Sequence, residues 1–301
     1  MPTHKKKKIV KSPKKKKRVL IVFLILSALI LFLLNRASSN WDGVSKLTIV
    51  SQDNENVTVT ILDPVAQSAS NIIIPTATQV EACCDLGTWR LGSLYDLGKK
   101  EGKGGIFLSR TLTFYFTFPV HVWSDYDLKL FSNENKFRFF YKFVIIDKSG
   151  LSLQDRLRLY FFLFKLKSNQ IEDIDLRNGT ALEEKELIDG SRGYVLVRAP
   201  SEKLLSYFSD TRIIQNNLKV LISDGSEEEV SKKIADVVEV LGAKVASINK
   251  TSIKENCEIY TDDGNLWYNL SQILGCSIKE VDPEGNYDME IRIGNNYNWG
   301  I

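Results

Sequence analysis

The sequence predicts a mixed α/β protein with three parts: an N-terminal transmembrane helix, a mixed-sheet domain, and a small β-α-β-β-α-β-β sandwich. Three observations carry this. Val19–Leu34 is sixteen residues without a charge, behind a run of lysines. Short β-branched segments begin at residue 46. From Asn217 onward, strand-like and helix-like stretches alternate regularly. With 44% hydrophobic and 26% charged residues in 301, the chain is neither disordered nor a disulfide-dense miniprotein.

The apolar run spans roughly 24 Å as a helix, slightly short of a hydrocarbon core. Snorkelling of Arg18 and local thinning absorb the difference. Residues 1–18 hold nine Lys and one Arg, and only Arg36 follows closely on the far side. The positive-inside rule therefore places 1–18 in the cytoplasm, 19–34 in the cell membrane as a single pass, and the C-terminal body outside. Cleavage as a signal peptide at Ala37-Ser38-Ser39 competes with this reading, as does a nuclear-localisation role for Pro13–Arg18. A span abutting that basic run favours topology-setting charge. The net charge of +3 averages two unlike parts, since residues 19–301 carry 30 basic against 37 acidic residues. Membrane lipid is thus an expected partner and nucleic acid is not.

Residues 35–45 read as a polar tether, and residues 46–215 as the first extracytoplasmic domain. Lys46–Val50, Val57–Leu62 and Asn71–Ile74 are strands by their β-branched content. Residues 85–105 are Gly- and Asp-rich loop, with a short helix at Ser93–Lys99. Phe114–Trp123 and Lys136–Ile146 alternate with aromatics and read as strands. Leu151–Lys167 lacks Gly and Pro and is apolar nearly all round after Asp155, which predicts a buried helix; its Arg and Lys residues argue against a second span.

Residues 217–301 are the most regular. After the strand LKVLI, Ser226-Glu227-Glu228-Glu229 forms a capping box. Val230, Ile234, Val237, Val238 and Leu241 make one apolar stripe, and Gly242 stops the helix. Ala243–Ile248 and Cys257–Tyr260 are strands, Asn265–Leu274 a second helix ended by Gly275, and Ser277–Val281 and Met289–Ile293 alternating strands. The order predicts helices on one side of a sheet.

This tail resembles the C-terminal domain of LytR-type cell-envelope proteins through Val220-Leu221-Ile222-Ser223-Asp224-Gly225, the helix ending Leu241-Gly242-Ala243-Lys244-Val245, and the closing strand MEIRIGNNY. Upstream, residues 46–215 resemble a divergent LytR-CpsA-Psr domain at Ile74-Pro75-Thr76, Trp89–Tyr95 and Phe118-Pro119-Val120. The resemblance implies an LCP-like fold and, in active members, transfer of a glycopolymer from a polyprenyl-pyrophosphate carrier to the cell wall. Polyprenyl-linked glycan or peptidoglycan is then a partner. Arginines would neutralise the pyrophosphate and carboxylates would hold Mg²⁺. Here Thr76 and Ala77 stand in place of the family's Arg-Asp pair, and its Asp…Arg…Arg-Gln helix is compressed to Asp155-Arg156-Leu157-Arg158. Those departures imply a binding or scaffolding member without catalytic residues. A cofactor is expected only if the phosphotransferase alternative holds, and that cofactor would be Mg²⁺.

Other motifs are weaker. Asp125-Tyr126-Asp127 has the Asp-x-Asp form of some glycosyltransferases, leaving a type II membrane glycosyltransferase as an alternative. Gly102-Lys103-Gly104-Gly105 can cradle a phosphate but lacks Walker spacing. Arg90 and Arg110 flank that loop and are the candidates for anionic-ligand contact. His121 in PVHVW reads as a strand residue. Two His and four Cys, dispersed, argue against a multi-ligand metal site. Cys257 and Cys276, both opening strands of the same small domain, are a candidate disulfide outside the cytoplasm. The four Asn-x-Ser/Thr sequons beginning at Asn56, Asn178, Asn249 and Asn269 matter only in a eukaryotic secretory pathway.

Overall fold

A computed structural model describes residues 41–132, 134–226, 230–252, 256–283 and 285–299. The basic run 1–18, the apolar run 19–34 and Glu227–Glu229 of the capping box lie outside the described residues. Among the described residues no helix is long and apolar enough to cross a membrane.

The described residues are mixed α/β, built on three sheets. The first has the order β6-β1-β2-β3-β7, from β1 (Leu47–Gln52), β2 (Asn56–Asp63), β3 (Ser68–Pro75), β6 (Val122–Trp123) and β7 (Ile171–Asp175). Its first three strands form an antiparallel meander, with β6 and β7 parallel on either edge. The interior of β2 is buried at every position because both faces are covered. Val57, Val59 and Ile61 pack on one side with helices α1 (Leu91–Lys100) and α2 (Ile106–Phe116). Leu47, Ile49 and Leu62 pack on the other, against α3 (Lys136–Phe139), the π-helical turn Phe140–Ile146 and α4 (Leu153–Lys165). The result is three layers.

A second, four-stranded sheet has the order β5-β4-β9-β8, from β4 (Thr78–Ala82), β5 (Gly87–Arg90), β8 (Leu182–Glu186) and β9 (Arg192–Leu196). Short helices α5 (Glu202–Leu205) and α6 (Thr211–Asn216) lead to the third sheet. There the order of elements is β10 (Lys219–Asp224), α7 (Val230–Val240), β11 (Lys244–Lys250), β12 (Cys257–Thr261), α8 (Gly264–Leu274), β13 (Ser277–Glu280) and β14 (Met289–Ile293). Its strands run β11-β10-β14-β12-β13, with only the β12–β14 pair antiparallel. Ile234, Val238, Trp267 and Ile273 of the two helices share one apolar cluster with Ile222, Ile259 and Ile291. Gly242 and Gly275 follow the helices with positive φ, +104° and +69°, as the stop positions require. The closing strand departs from strict alternation: Glu290 is buried, accepting from Ser223 Oγ at 2.6 Å and from Arg292.

Three expectations fail, each for a local reason. Phe114–Trp123 is a strand only at its end, Val122–Trp123 of β6, since α2 runs to Phe116 and ends at Thr117 in the left-handed region. The alternation of Phe114, Phe116 and Phe118 imitates a strand, but Leu108, Leu112 and Phe116 at spacings of four supply the core stripe. Lys136–Ile146 is helical: Asn135 caps it by accepting from the Phe137 and Arg138 amides, and Phe139, Phe143 and Val144 are its buried residues. The third concerns α4, which is not buried all round. Ser152 and Asp155 cap it reciprocally, only Asp155, Leu159 and Leu163 are buried, and Phe161 and Phe164 lie exposed. The tether over 35–45 also shortens, because Trp41 and Ser45 are buried and the Trp41 indole donates to Ser45 O at 2.8 Å.

Candidate ligand cleft

Strand β3 ends at Pro75, and Thr76-Ala77 turn the chain into β4. The first turn of α1 sits directly on this turn. Gly92 N–H donates to Thr76 O at 3.0 Å, and a Cβ on Gly92 would come within 2.7 Å of the Thr76 Cβ. The cleft this leaves has a volume of about 470 Å³. Its walls are the β1–β2 turn (Gln52–Asn54), Thr76-Ala77, and Arg90, Ser93, Tyr95, Asp96 and Lys99 at the start and along one side of α1. The Gln52 amide donates to Gly92 O at 3.0 Å, while its buried Oε1 has no hydrogen-bond partner. Arg90 is the N-cap of α1 and puts no side-chain acceptor on the first-turn amides. An anion is therefore the natural complement of that end of the helix.

The cleft's two cations already have partners. Arg90 Nη2 contacts Asp189 Oδ2 at 2.5 Å and also the Ser191 hydroxyl. Lys99 Nζ lies 3.7 Å from Asp125 and 4.4 Å above the Tyr95 ring. The Tyr95 hydroxyl donates to Asp125, and burial together with that carboxylate pushes its pKa up. Thr76 donates to Glu55 O and carries no charge. Asp53 accepts from the Glu55 and Asn56 amides as a turn residue. The dipole at this end of α1 favours an anion, and both cations of the cleft lie beside carboxylates.

Among the described residues no group of three or more His, Cys, Asp or Glu is placed to hold a metal ion. Of the compressed motif, Asp155 caps α4, Arg156 donates to Asp147 O at 2.8 Å and Arg158 to Trp41 O at 2.7 Å. Its charges hold the fold of the α4 layer.

Arg90 and Arg110 do not share a site. Arg90 lines the cleft, whereas Arg110 is buried on α2, donates to Ile273 O of α8 and leaves its Nε without a partner. Burial pulls its pKa down. Arg110 thus ties the third sheet's layer to the first and is not placed for ligand contact. The Asp-x-Asp pair also parts company. Asp125 faces Tyr95 and Lys99, while buried Asp127 accepts from Ser51 Oγ at 3.2 Å and from the Lys129 amide, with its pKa raised by burial.

The glycine loop is a packed turn. Lys103 N–H donates to Gly98 O at 2.7 Å, and a Cβ on Gly104 would meet the Trp123 ring at 2.1 Å. His121 accepts from the Thr48 amide through Nδ1 at 3.0 Å, and burial lowers its pKa to about 4. Cys257 and Cys276 are joined in a disulfide with their Cα atoms 4.7 Å apart. Cys83 and Cys84 are free. Gln52 and Lys99 line the cleft without having been singled out in the sequence, and Asp189 reaches Arg90 from outside it. Lys99, four residues after Tyr95 on the same helix, was discoverable there; the other two come from a distant strand and turn.

No protein-family model matches the chain, and no curated protein matches it. Among solved structures, that of B. subtilis TagT is 14% identical, covering 52% of this chain and 86% of its own, with a TM-score of 0.37. The LytR-CPS2A-psr family protein YwtF (TagT) with bound octaprenyl pyrophosphate lipid is 14% identical over 56% of this chain and 89% of its own, with a TM-score of 0.38. B. subtilis TagV is 9% identical over 66% of this chain and 97% of its own, with a TM-score of 0.39.

Proposed function

We propose that the chain is a membrane-anchored, extracytoplasmic cell-envelope protein of the LytR-CpsA-Psr type. In this reading it binds an anionic, lipid-linked glycan at the β3–α1 cleft without transferring it, and residues 217–301 act as a LytR-type C-terminal module. The sequence resemblance supports the type. The absence of transfer is supported by one observation: Thr76 and Ala77 are neutral, and Arg90 and Lys99 are each engaged with a carboxylate. A transition state that builds charge on phosphoryl oxygens needs preorganised, uncommitted cations, each contributing orders of magnitude in rate.

The test uses the full-length protein purified in detergent. Mass spectrometry of copurifying material is expected to find a polyprenyl-phosphate-containing glycan, in reduced amount from Arg90→Ala. Incubation with a polyprenyl-pyrophosphate glycan, acceptor peptidoglycan and Mg²⁺ is expected to give no transfer. Turnover that disappears in Arg90→Ala would overturn the non-catalytic reading. Absence of any bound glycan, whether copurified or added, would overturn the binding role.

A further inference from the structure

We infer that the α3–π–α4 layer is a second membrane contact, docking the face of the body that carries Phe137 and Phe161 onto an anionic lipid bilayer. Residues on this layer point two ways. Toward the first sheet, α4 buries Asp155, Leu159 and Leu163. Leu153, Phe161 and Phe164 lie roughly 150° round the helix at 3.6 residues per turn and are exposed. In the preceding helical segment, Phe137, Tyr141 and Ile145 recur at spacings of four and are exposed too. Phe137, Tyr141, Ile145, Ile146, Phe161 and Phe164 are each between 56% and 84% exposed. Half-buried Tyr160 links the two helices beneath these residues, its ring centroid 5.0 Å from Phe140 and 6.2 Å from exposed Phe164. Exposed apolar side chains gathered on one layer in this number mark an interaction site.

The charge around it names the partner. Residues 135–167 contain eight Lys or Arg and two acids, Asp147 and Asp155, both buried. Arg138, Lys148, Arg158, Lys165 and Lys167 are exposed, in a body that is otherwise acidic on balance. Exposed aromatics flanked by cations suit the interface of an anionic bilayer, where rings enter the headgroup boundary and Lys and Arg meet lipid phosphates. A second copy of the chain would bring these like charges face to face.

Position adds an independent argument. Trp41 packs in the same apolar cluster as Phe139, Phe143 and Leu159, and Arg158 of α4 donates to its carbonyl. Only residues 35–40 separate Trp41 from the apolar run, a reach of roughly 25 Å even when extended. This part rests on reading residues 19–34 as the membrane anchor. With that anchor, the α3–π–α4 layer is the part of the body leashed nearest the lipid.

The experiment reconstitutes the full-length chain in nanodiscs of phosphatidylcholine with or without phosphatidylglycerol, each carrying a photoreactive acyl chain, and maps the crosslinks by mass spectrometry. With phosphatidylglycerol, peptides covering 137–146 and 153–165 are expected to be labelled at least tenfold more than the β8–β9 peptide 183–196. Phe161→Asp/Phe164→Asp should remove that labelling without changing the circular-dichroism melt, because both side chains are exposed. Lys165→Glu/Lys167→Glu should weaken it severalfold in the anionic discs. Crosslinks in 19–34 but none in 137–165 would overturn the docking and leave the anchor. Crosslinks in 137–165 but none in 19–34 would leave the docking and remove the anchor. Labelling indifferent to the variants, or copies of the chain crosslinked to one another through this face, would also overturn it.

Discussion

Arg110 enters the interior from α2 with one neutral carbonyl as its hydrogen-bond partner, while Arg90 reaches a half-exposed carboxylate at the rim of the cleft. The same substitution should therefore separate them. Arg110→Ala opens a void and strands Ile273 O, costing about 3 kcal/mol. Arg90→Ala removes a solvent-screened surface ion pair and should leave the fold's stability almost unchanged. Urea midpoints of the two variants check this, and equal losses would contradict the placement of Arg110. His121 makes a pH-dependent contribution of defined sign. Its folded pKa of about 4 lies below the ordinary 6.5, so the folded protein declines a proton that the unfolded chain accepts. Stability from this residue is complete above pH 6.5 and is lost as pH falls toward 4, by on the order of 3 kcal/mol. His121→Asn keeps an acceptor for the Thr48 amide and is expected to flatten that part of the pH profile in paired urea melts.

The α1–α2 pair shows how an element's register depends on a single atom. A Cβ on Gly98 would fall 2.0 Å from Gly104 O, with backbone rather than a flexible side chain in the way. Gly98→Ala should force the helices apart and cost about 3 kcal/mol. Gly87 has φ +75° but open space around it, so Gly87→Ala should cost only the left-handed strain, roughly 1–2 kcal/mol. Comparing denaturant midpoints of the two variants tests whether packing or backbone conformation dominates. The helices misread as strands belong to this scale too. Aromatic alternation is a period-two signal, but Asn135 as a cap and apolar residues four apart are local facts that outweigh it once a sheet is present to receive the helix. The polar strands β4 and β8 went unread for the converse reason. The β8 segment LEEKE pairs with β9 as an exposed hairpin and has no apolar face of its own to announce it.

Across the molecule, long-range ties join the third sheet to the rest. Arg110 reaches Ile273, Asn269 donates to Lys46 O at 3.1 Å, and Phe114 packs edge-on against Trp299 at 5.8 Å. A disulfide between Cys257 and Cys276 staples that sheet's own layer. The proposed orientation across a membrane is testable at this scale. Ile188 is 85% exposed at the tip of the β8–β9 hairpin, remote in sequence from residues 19–34. A Cys at 188 is expected to react with a membrane-impermeant thiol reagent in intact cells. Reaction only after lysis would invert the topology and, with it, the cell-envelope role.

Much of what periodicity and composition carry could be read from the amino-acid order alone. That includes the β-branched meander β1–β3 and the β-α-β-β-α-β-β succession from β10 to β14 with its glycine stops. These are properties of residues near one another in sequence, where spacing and capping chemistry act directly. The neutral turn after Pro75 was legible for the same reason. The cleft was not. Gln52 and Arg90 line one cleft only because the ends of β1 and β5 converge there, Asp189 of the β8–β9 hairpin reaches Arg90 from outside it, and Arg110 became a structural residue because α8 packs against α2. The same holds for α4: its sequence is apolar on two sides, and only the position of the first sheet decided which side became core and which was left facing outward.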